Sequence, residues 1–186
     1  LVFLVILLLE LTYVSSFKEL KDLTLSSSES ILNTLTSQKI SYEVLEHEPL
    51  LTMQDGLYVE QKLKIVPCKN LLLVNRQHEF FLLMISGDKR VKVNNIAKEI
   101  NSSHLSFASD DDLKALLNVS TGAVSPLDLV SDTEHKVKVL MDKELLSQEF
   151  IGCHPGTNTM TVKMKTASLV EVFFKSLHVS YTYVDC

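Results

Sequence analysis

The chain is poor in cysteine, glycine and proline, with three, five and four of them in 186 residues. Cys68, Cys153 and Cys186 are widely spaced, odd in number, and form neither a C-x-x-C pair nor a Cys/His zinc spacing, which argues against a disulfide framework or a bound metal. No Gly-, Pro- or Ser-rich stretch is long, and the 22% of charged residues are spread along the chain, so extended disorder is not expected. Positive charge is also short. A formal net charge of −5 excludes a protein that coats DNA or RNA through a broad basic surface, since such binding rests on neutralising many phosphates. A local basic patch stays open, drawn from Lys62, Lys64, Lys69, Arg76, Lys89, Arg90 and Lys92, although charges of this kind ordinarily just solvate a surface.

Long apolar runs are missing as well. Leu1 to Leu9, ended by Glu10, is too short to span a bilayer; it has the length of a signal-peptide core but lacks the preceding basic segment. A targeting remnant, a gene-model artefact and a buried element all remain open for residues 1–24, with organellar or secretory targeting among the consequences. Asn101 and Asn118 begin Asn-x-Ser triplets that matter only in a secreted chain. Residues 25–186 read as one domain with no internal repeat, and 46% apolar residues suffice for a core.

What is present is a mixed series of elements. Ser26 with Glu29 three residues on forms a capping box for a helix to about Gln38, and Ser41 to His47 reads as a strand ending before Pro49. Thr52 with Asp55 opens a second short helix. Leu71 to Val74 and Phe80 to Ile85, followed by Val91 and Val93, read as an antiparallel meander. Helices are expected at Asn95 to Ile100 and, capped by Ser109, at Asp110 to Leu117, whose three aspartates suit the helix dipole. Strands at Val137 to Met141, Met160 to Met164 and Val179 to Val184, with an amphipathic helix over Ala167 to Leu177, complete an α+β pattern on a mostly antiparallel sheet.

The chain contains no G-x-S-x-G elbow, no H-E-x-x-H helix and no phosphate-binding glycine motif. Three clusters remain as candidate chemistry. Pro67-Cys68-Lys69-Asn70 sets a cation at the mouth of an apolar strand, where it either holds a phosphate or lays its stem over the sheet; Cys68 reads as buried and inert. Gly122-Ala123-Val124-Ser125-Pro126 either aims backbone N–H groups at a carbonyl or is a plain connecting turn. His154-Pro155-Gly156-Thr157-Asn158 presents an imidazole and an amide, either to a small polar ligand or to structural partners.

In order along the chain, Glu46-His47-Glu48-Pro49, Cys68 to Leu73, Leu105-Ser106-Phe107-Ala108, Gly122 to Pro126 with Asp132, and His154-Pro155 with Asn158 resemble the prolyl-tRNA deacylase group of the YbaK/ProX editing domains. The resemblance covers roughly residues 29–185. It implies a barrel-like, mostly antiparallel sheet surrounded by helices, and a cofactor-free, cytoplasmic hydrolase acting in trans on the acceptor end of mischarged tRNA, usually Ala-tRNA with a proline anticodon. Prolyl-tRNA synthetase is a further partner it allows, and no membrane is implied for the folded domain. By the same analogy Lys69 and Asn70 meet the terminal adenosine, with Lys69 on its phosphate. The backbone of Gly122, Ala123, Val124, Ser125 and Pro126 holds the aminoacyl carbonyl, His154 and Asn158 shape the amino-acid pocket, and Asp132 belongs to the substrate site. An activated ester needs no protein nucleophile, since a positioned water and the 2′-hydroxyl of the substrate suffice. One departure stands out. Ile65-Val66-Pro67 replaces the glycine and small or polar residue usual before the Lys-Asn pair, which leaves open a non-catalytic homologue that binds tRNA or a synthetase.

Overall fold

The computed structural model describes residues 26–50, 53–66, 68–87 and 89–186. The Leu1 to Leu9 run, the Thr52 cap and Pro67 lie outside them. Helix α1, Ser27–Ser37, starts at the expected capping box: the Ser26 hydroxyl accepts from Glu29 N–H while the Glu29 carboxylate accepts from Ser26 N–H. Strand β1 (Tyr42–Glu46), helix α2 (Met53–Leu63), strands β2 (Cys68–Asn75) and β3 (Phe80–Ser86) and helix α3 (Val93–Glu99) follow. Strand β4 (Leu105–Phe107) leads into helix α4, Asp110–Leu117, which the Ser109–Asp112 box caps. A 3₁₀ turn at Pro126–Ser131, strand β5 (Val137–Asp142), a second 3₁₀ turn at Lys143–Ser147, and strands β6 (Phe150–Cys153) and β7 (Met160–Lys165) come next. Helix α5, Thr166–Ser168, runs on as a π-helix over Leu169–Phe174 before strand β8, Tyr181–Val184.

The strands form two open sheets, β1-β7-β6 and β4-β2-β3-β5-β8. Every pair is antiparallel except β3–β5 and β5–β8, so the sheets are mostly antiparallel as expected. They do not close into a barrel; a single bridge between Val66 and Ile151 links the approach to β2 with β6. The meander stops at the hairpin. Val91 and Val93 add no strand, and Val93 instead opens helix α3.

Strand β3 explains why its sequence is an unbroken apolar run, because it is covered on both faces. Leu82 and Met84, with Leu72, Val139 and Met141, face the larger core, where Ile31 and Leu35 of α1, Leu113 and Leu117 of α4, Ile151, Val162 and Met164 of the smaller sheet, and Phe173 and Phe174 meet. Phe81, Leu83 and Ile85 alternate to the other face and pack with Leu73, Leu140, and Ile96 and Ala97 of α3.

A third capping box closes the Gly122 loop. Asp128, 1% exposed, accepts Ser125 N–H at 2.8 Å through Oδ2, while Leu127 N–H donates to Ser125 Oγ. Burial pushes the Asp128 carboxyl up to about 8, against the pull of the Ser125 and Gly156 backbone N–H groups. Its folded value lies above the unfolded one, so between them the unfolded chain releases a proton that the fold retains. Stability therefore falls as pH rises from roughly 4 to 8, by up to about 1.4 kcal/mol per pH unit, and levels off above. Urea unfolding of the parent and of Asp128→Asn from pH 5 to 9 checks this; the variant, which keeps a carbonyl acceptor, is expected to lose that slope.

Candidate active site

The start of β2, one face of α2 (Gly56, Val59 and Glu60), the Gly122 loop and the β6–β7 hairpin converge on a cleft of about 350 Å³. Lys69, Asn70, Gly122, Val124 and His154 line it, together with Leu50, Val59, Glu60, Gly152 and Thr161. Antiparallel pairing sets Lys69 opposite Ile85 and Asn70 opposite Met84, which fixes where the cation leaves the sheet. Lys69 Nζ donates to the Lys89 carbonyl at 3.2 Å, and no carboxylate among the described residues pairs with it. A cation satisfied by one carbonyl retains donors for an anion. Lys89, by contrast, is held by buried Asp142 at 2.8 Å and by Glu144 at 3.1 Å, and with Arg90 and Lys92 it lines a separate hollow.

The loop divides its donors. Ala123 N–H bonds the Ser120 carbonyl and Ser125 N–H bonds Asp128, whereas the N–H groups of Gly122 and Val124 make no hydrogen bond among the described residues. Gly122 has φ +90°, and a Cβ placed there would meet nothing within 4 Å, so the left-handed backbone rather than crowding calls for glycine. Ala123, Ser125 and Pro126 are buried and do not line the cleft; they hold the loop from behind. Asp132 is also away from it, with Oδ1 accepting Lys136 N–H and Oδ2 accepting Val137 N–H to shape the turn into β5. Asn158 does not line the cleft either, and its carbonyl accepts Leu50 N–H at 3.2 Å.

His154 sits half-buried at the end of β6, with Nδ1 2.9 Å from the Met160 carbonyl and 3.4 Å from Thr161 Oγ1. Burial lowers its pKa, the Met160 bond opposes that, and neighbouring His47 adds to the lowering, so the ring is held neutral. Half-buried Cys68 also lines the cleft, and desolvation, then Asp142, push its thiol up to about 12, which disfavours the reactive thiolate. Among the described residues no group of His, Cys, Asp or Glu could hold a metal ion.

A family model described as the aminoacyl-tRNA editing domain matches residues 47–172. The chain belongs to this family. It is therefore an aminoacyl-tRNA editing hydrolase, a deacylase. It is 29% identical over 151 residues to the prolyl-tRNA editing protein ProX of Acetoanaerobium sticklandii, covering 80% of this chain and 91% of that protein. It is also 29% identical over 136 residues to the prolyl-tRNA synthetase associated domain-containing protein 1 of Danio rerio, covering 72% of this chain and 74% of that one. A crystal structure described as a candidate trans-editing enzyme for prolyl-tRNA synthetase shares the fold, with a TM-score of 0.66 at 17% identity over 88% of this chain and 99% of that one.

Thr161, Glu60 and Gly152 had no sequence signal as site residues, because each lies inside an element that reads as plain strand or helix or, for Gly152, in a strand too short to read. Gly152 shows how the unusual Ile65 is accommodated: a Cβ there would run into the Ile65 side chain. Gly152→Ala is expected to push Ile65 into the cleft, costing about 1–3 kcal/mol of stability and raising KM for the substrate more than it lowers kcat; thermal melts and steady-state kinetics measure both.

Proposed function

We propose that the cleft hydrolyses, in trans, the ester of alanine misattached to tRNA bearing a proline anticodon. The observation that carries this reading is the pair of N–H groups on Gly122 and Val124, unengaged among the described residues, in the same apolar cleft as Lys69. Lys69, with Asn70 beside it, takes the phosphate of the terminal adenosine as a point charge. The two backbone donors take the ester carbonyl oxygen, and they stabilise it more strongly as it gains negative charge on attack. Water adds to the carbonyl carbon, the bond to the ribose oxygen breaks, and the proton released by water ends on that oxygen, leaving alanine and free tRNA. The apolar side chains of Leu50, Val59, Ile65 and Val124 leave room for a small amino-acid side chain. His154 stands at that pocket.

Only the acceptor end needs to enter such a site, which suits a protein of net charge −5. Prolyl-tRNA synthetase is the partner that would release its mischarged product nearby, and a cytoplasmic location goes with that substrate. No helix among the described residues is long and apolar enough to cross a membrane.

Release of radiolabelled alanine from Ala-tRNA with a proline anticodon tests the reading, beside a Pro-tRNA control. Lys69→Ala is expected to lower kcat/KM about 10- to 100-fold with the fold intact by circular dichroism, as for loss of a hydrogen bond to a charged group. An unchanged rate in that variant, or equal release from Pro-tRNA, overturns it. Because few phosphates are contacted, the plot of log kcat/KM against log salt is expected to be no steeper than about −2, and a steep slope contradicts acceptor-end recognition.

A further inference from the structure

The β6–β7 wall of the cleft carries His154 and Thr161, and the sense of their hydrogen bonds follows from their partners. His47 Nδ1 lies 2.8 Å from the Glu48 carbonyl oxygen. A carbonyl only accepts, so Nδ1 bears the proton, and in the neutral ring Nε2 is bare. That Nε2 lies 2.8 Å from Thr161 Oγ1, so the threonine hydroxyl donates to it. Thr161 has one proton, and its lone pairs alone are left for other contacts. His154 Nδ1 donates to the Met160 carbonyl by the same logic and approaches one Thr161 lone pair at 3.4 Å. His154 Nε2, on the opposite ring edge, is then a bare acceptor with no protein donor among the described residues.

We infer that this wall selects aminoacyl esters with an unblocked α-amino group, whose N–H bonds are accepted by His154 Nε2 and Thr161 Oγ1. The inference rests on the deacylase reading and adds to it a substrate class: esters lacking the amine, and N-acylated ones, are rejected. Either protonation state of the amine keeps at least two N–H donors, which is what a wall of two acceptors requires. An ester without them leaves both acceptors buried and unsatisfied, the arrangement that discriminates most strongly between substrates. His47 touches no substrate. It is a positioning residue, which holds the Thr161 proton away from the cleft.

The test compares the alanyl ester with the propionyl ester of the same tRNA, which keeps the carbon chain and lacks the amine. Each rate is divided by the spontaneous hydrolysis of that ester in the same buffer. The wild-type enhancement is expected to be about 100-fold larger for the alanyl ester, as for two acceptors left unsatisfied when the amine is missing. Thr161→Val and His47→Phe are expected to shrink that ratio about tenfold by slowing alanyl release alone, while Thr161→Ser, which keeps the hydroxyl, preserves it. His47→Phe carries this arm where Thr161→Val does not fold. Equal enhancement of both esters by the wild type overturns the inference and leaves the deacylase reading standing. So do equal losses on both esters in the variants, which would mean that the acceptors serve the attacking water. No alanyl release by the wild type overturns the reading first and the inference with it.

Discussion

The register of β2 against β3 governs the rest of the molecule. Cys68 faces Ser86 and Val74 faces Phe80, with Ile85 fully buried opposite Lys69. A slip of one residue would exchange the faces of Leu71, Leu72 and Leu73 and would also turn Lys69 to the wrong side of the sheet. Such a slip would also take Leu72 out of its place in the larger core and Leu71 and Leu73 out of theirs in the smaller one. The position of the lysine is thus enforced by the core, with the cleft itself contributing little to it.

The second constraint is local. The Gly122 loop follows helix α4, whose buried residues, Leu113 and Leu117, are anchored in the larger core, and it enters the 3₁₀ turn through the Ser125–Asp128 box. Covering Asp128 costs desolvation, which its raised pKa records, and the return is a loop pinned at both ends by hydrogen bonds rather than by side-chain packing alone. The N–H groups of Gly122 and Val124, residues that line the cleft, are the two in this loop left without a hydrogen bond among the described residues. Rigidity and unsatisfied donors therefore come from the same few residues.

Much of this was legible in the sequence, and the legible parts share a cause. Capping boxes at Ser26 and Ser109, and the apolar runs of β2, β3, β5 and β7, are local signals that tertiary packing did not override. Strand β6 was not legible: Phe150–Cys153 is four residues long with Gly152 inside it, and its strand character comes from pairing with β7. The C-terminal segment read as an ordinary amphipathic helix, yet Leu169–Phe174 takes the wider π winding, with Leu169, Val170, Phe173 and Phe174 all buried. At the site, Lys69, Asn70, Gly122, Val124 and His154 line one cleft. Asp132 and Ser125 instead bond the local backbone through their side chains, which a motif of residue types cannot separate from ligand contact, and Asn158 meets Leu50 through its main-chain carbonyl. The Thr161 contact to His47 depends on a pairing of β1 with β7 across more than a hundred residues, and spacing along the chain carries no trace of it.

The division of labour in the Gly122 loop also bears on how this protein tolerates genetic change. Donors that belong to the main chain cannot be deleted by exchanging side chains; of the twenty residues only proline removes an N–H. Exchanging the side chain at 122 or 124 therefore leaves the donor itself in place, although the left-handed angle at 122 and the buried, cleft-lining position of Val124 still limit what fits there. Lys69 has no such insurance, since a single nucleotide change can remove its charge.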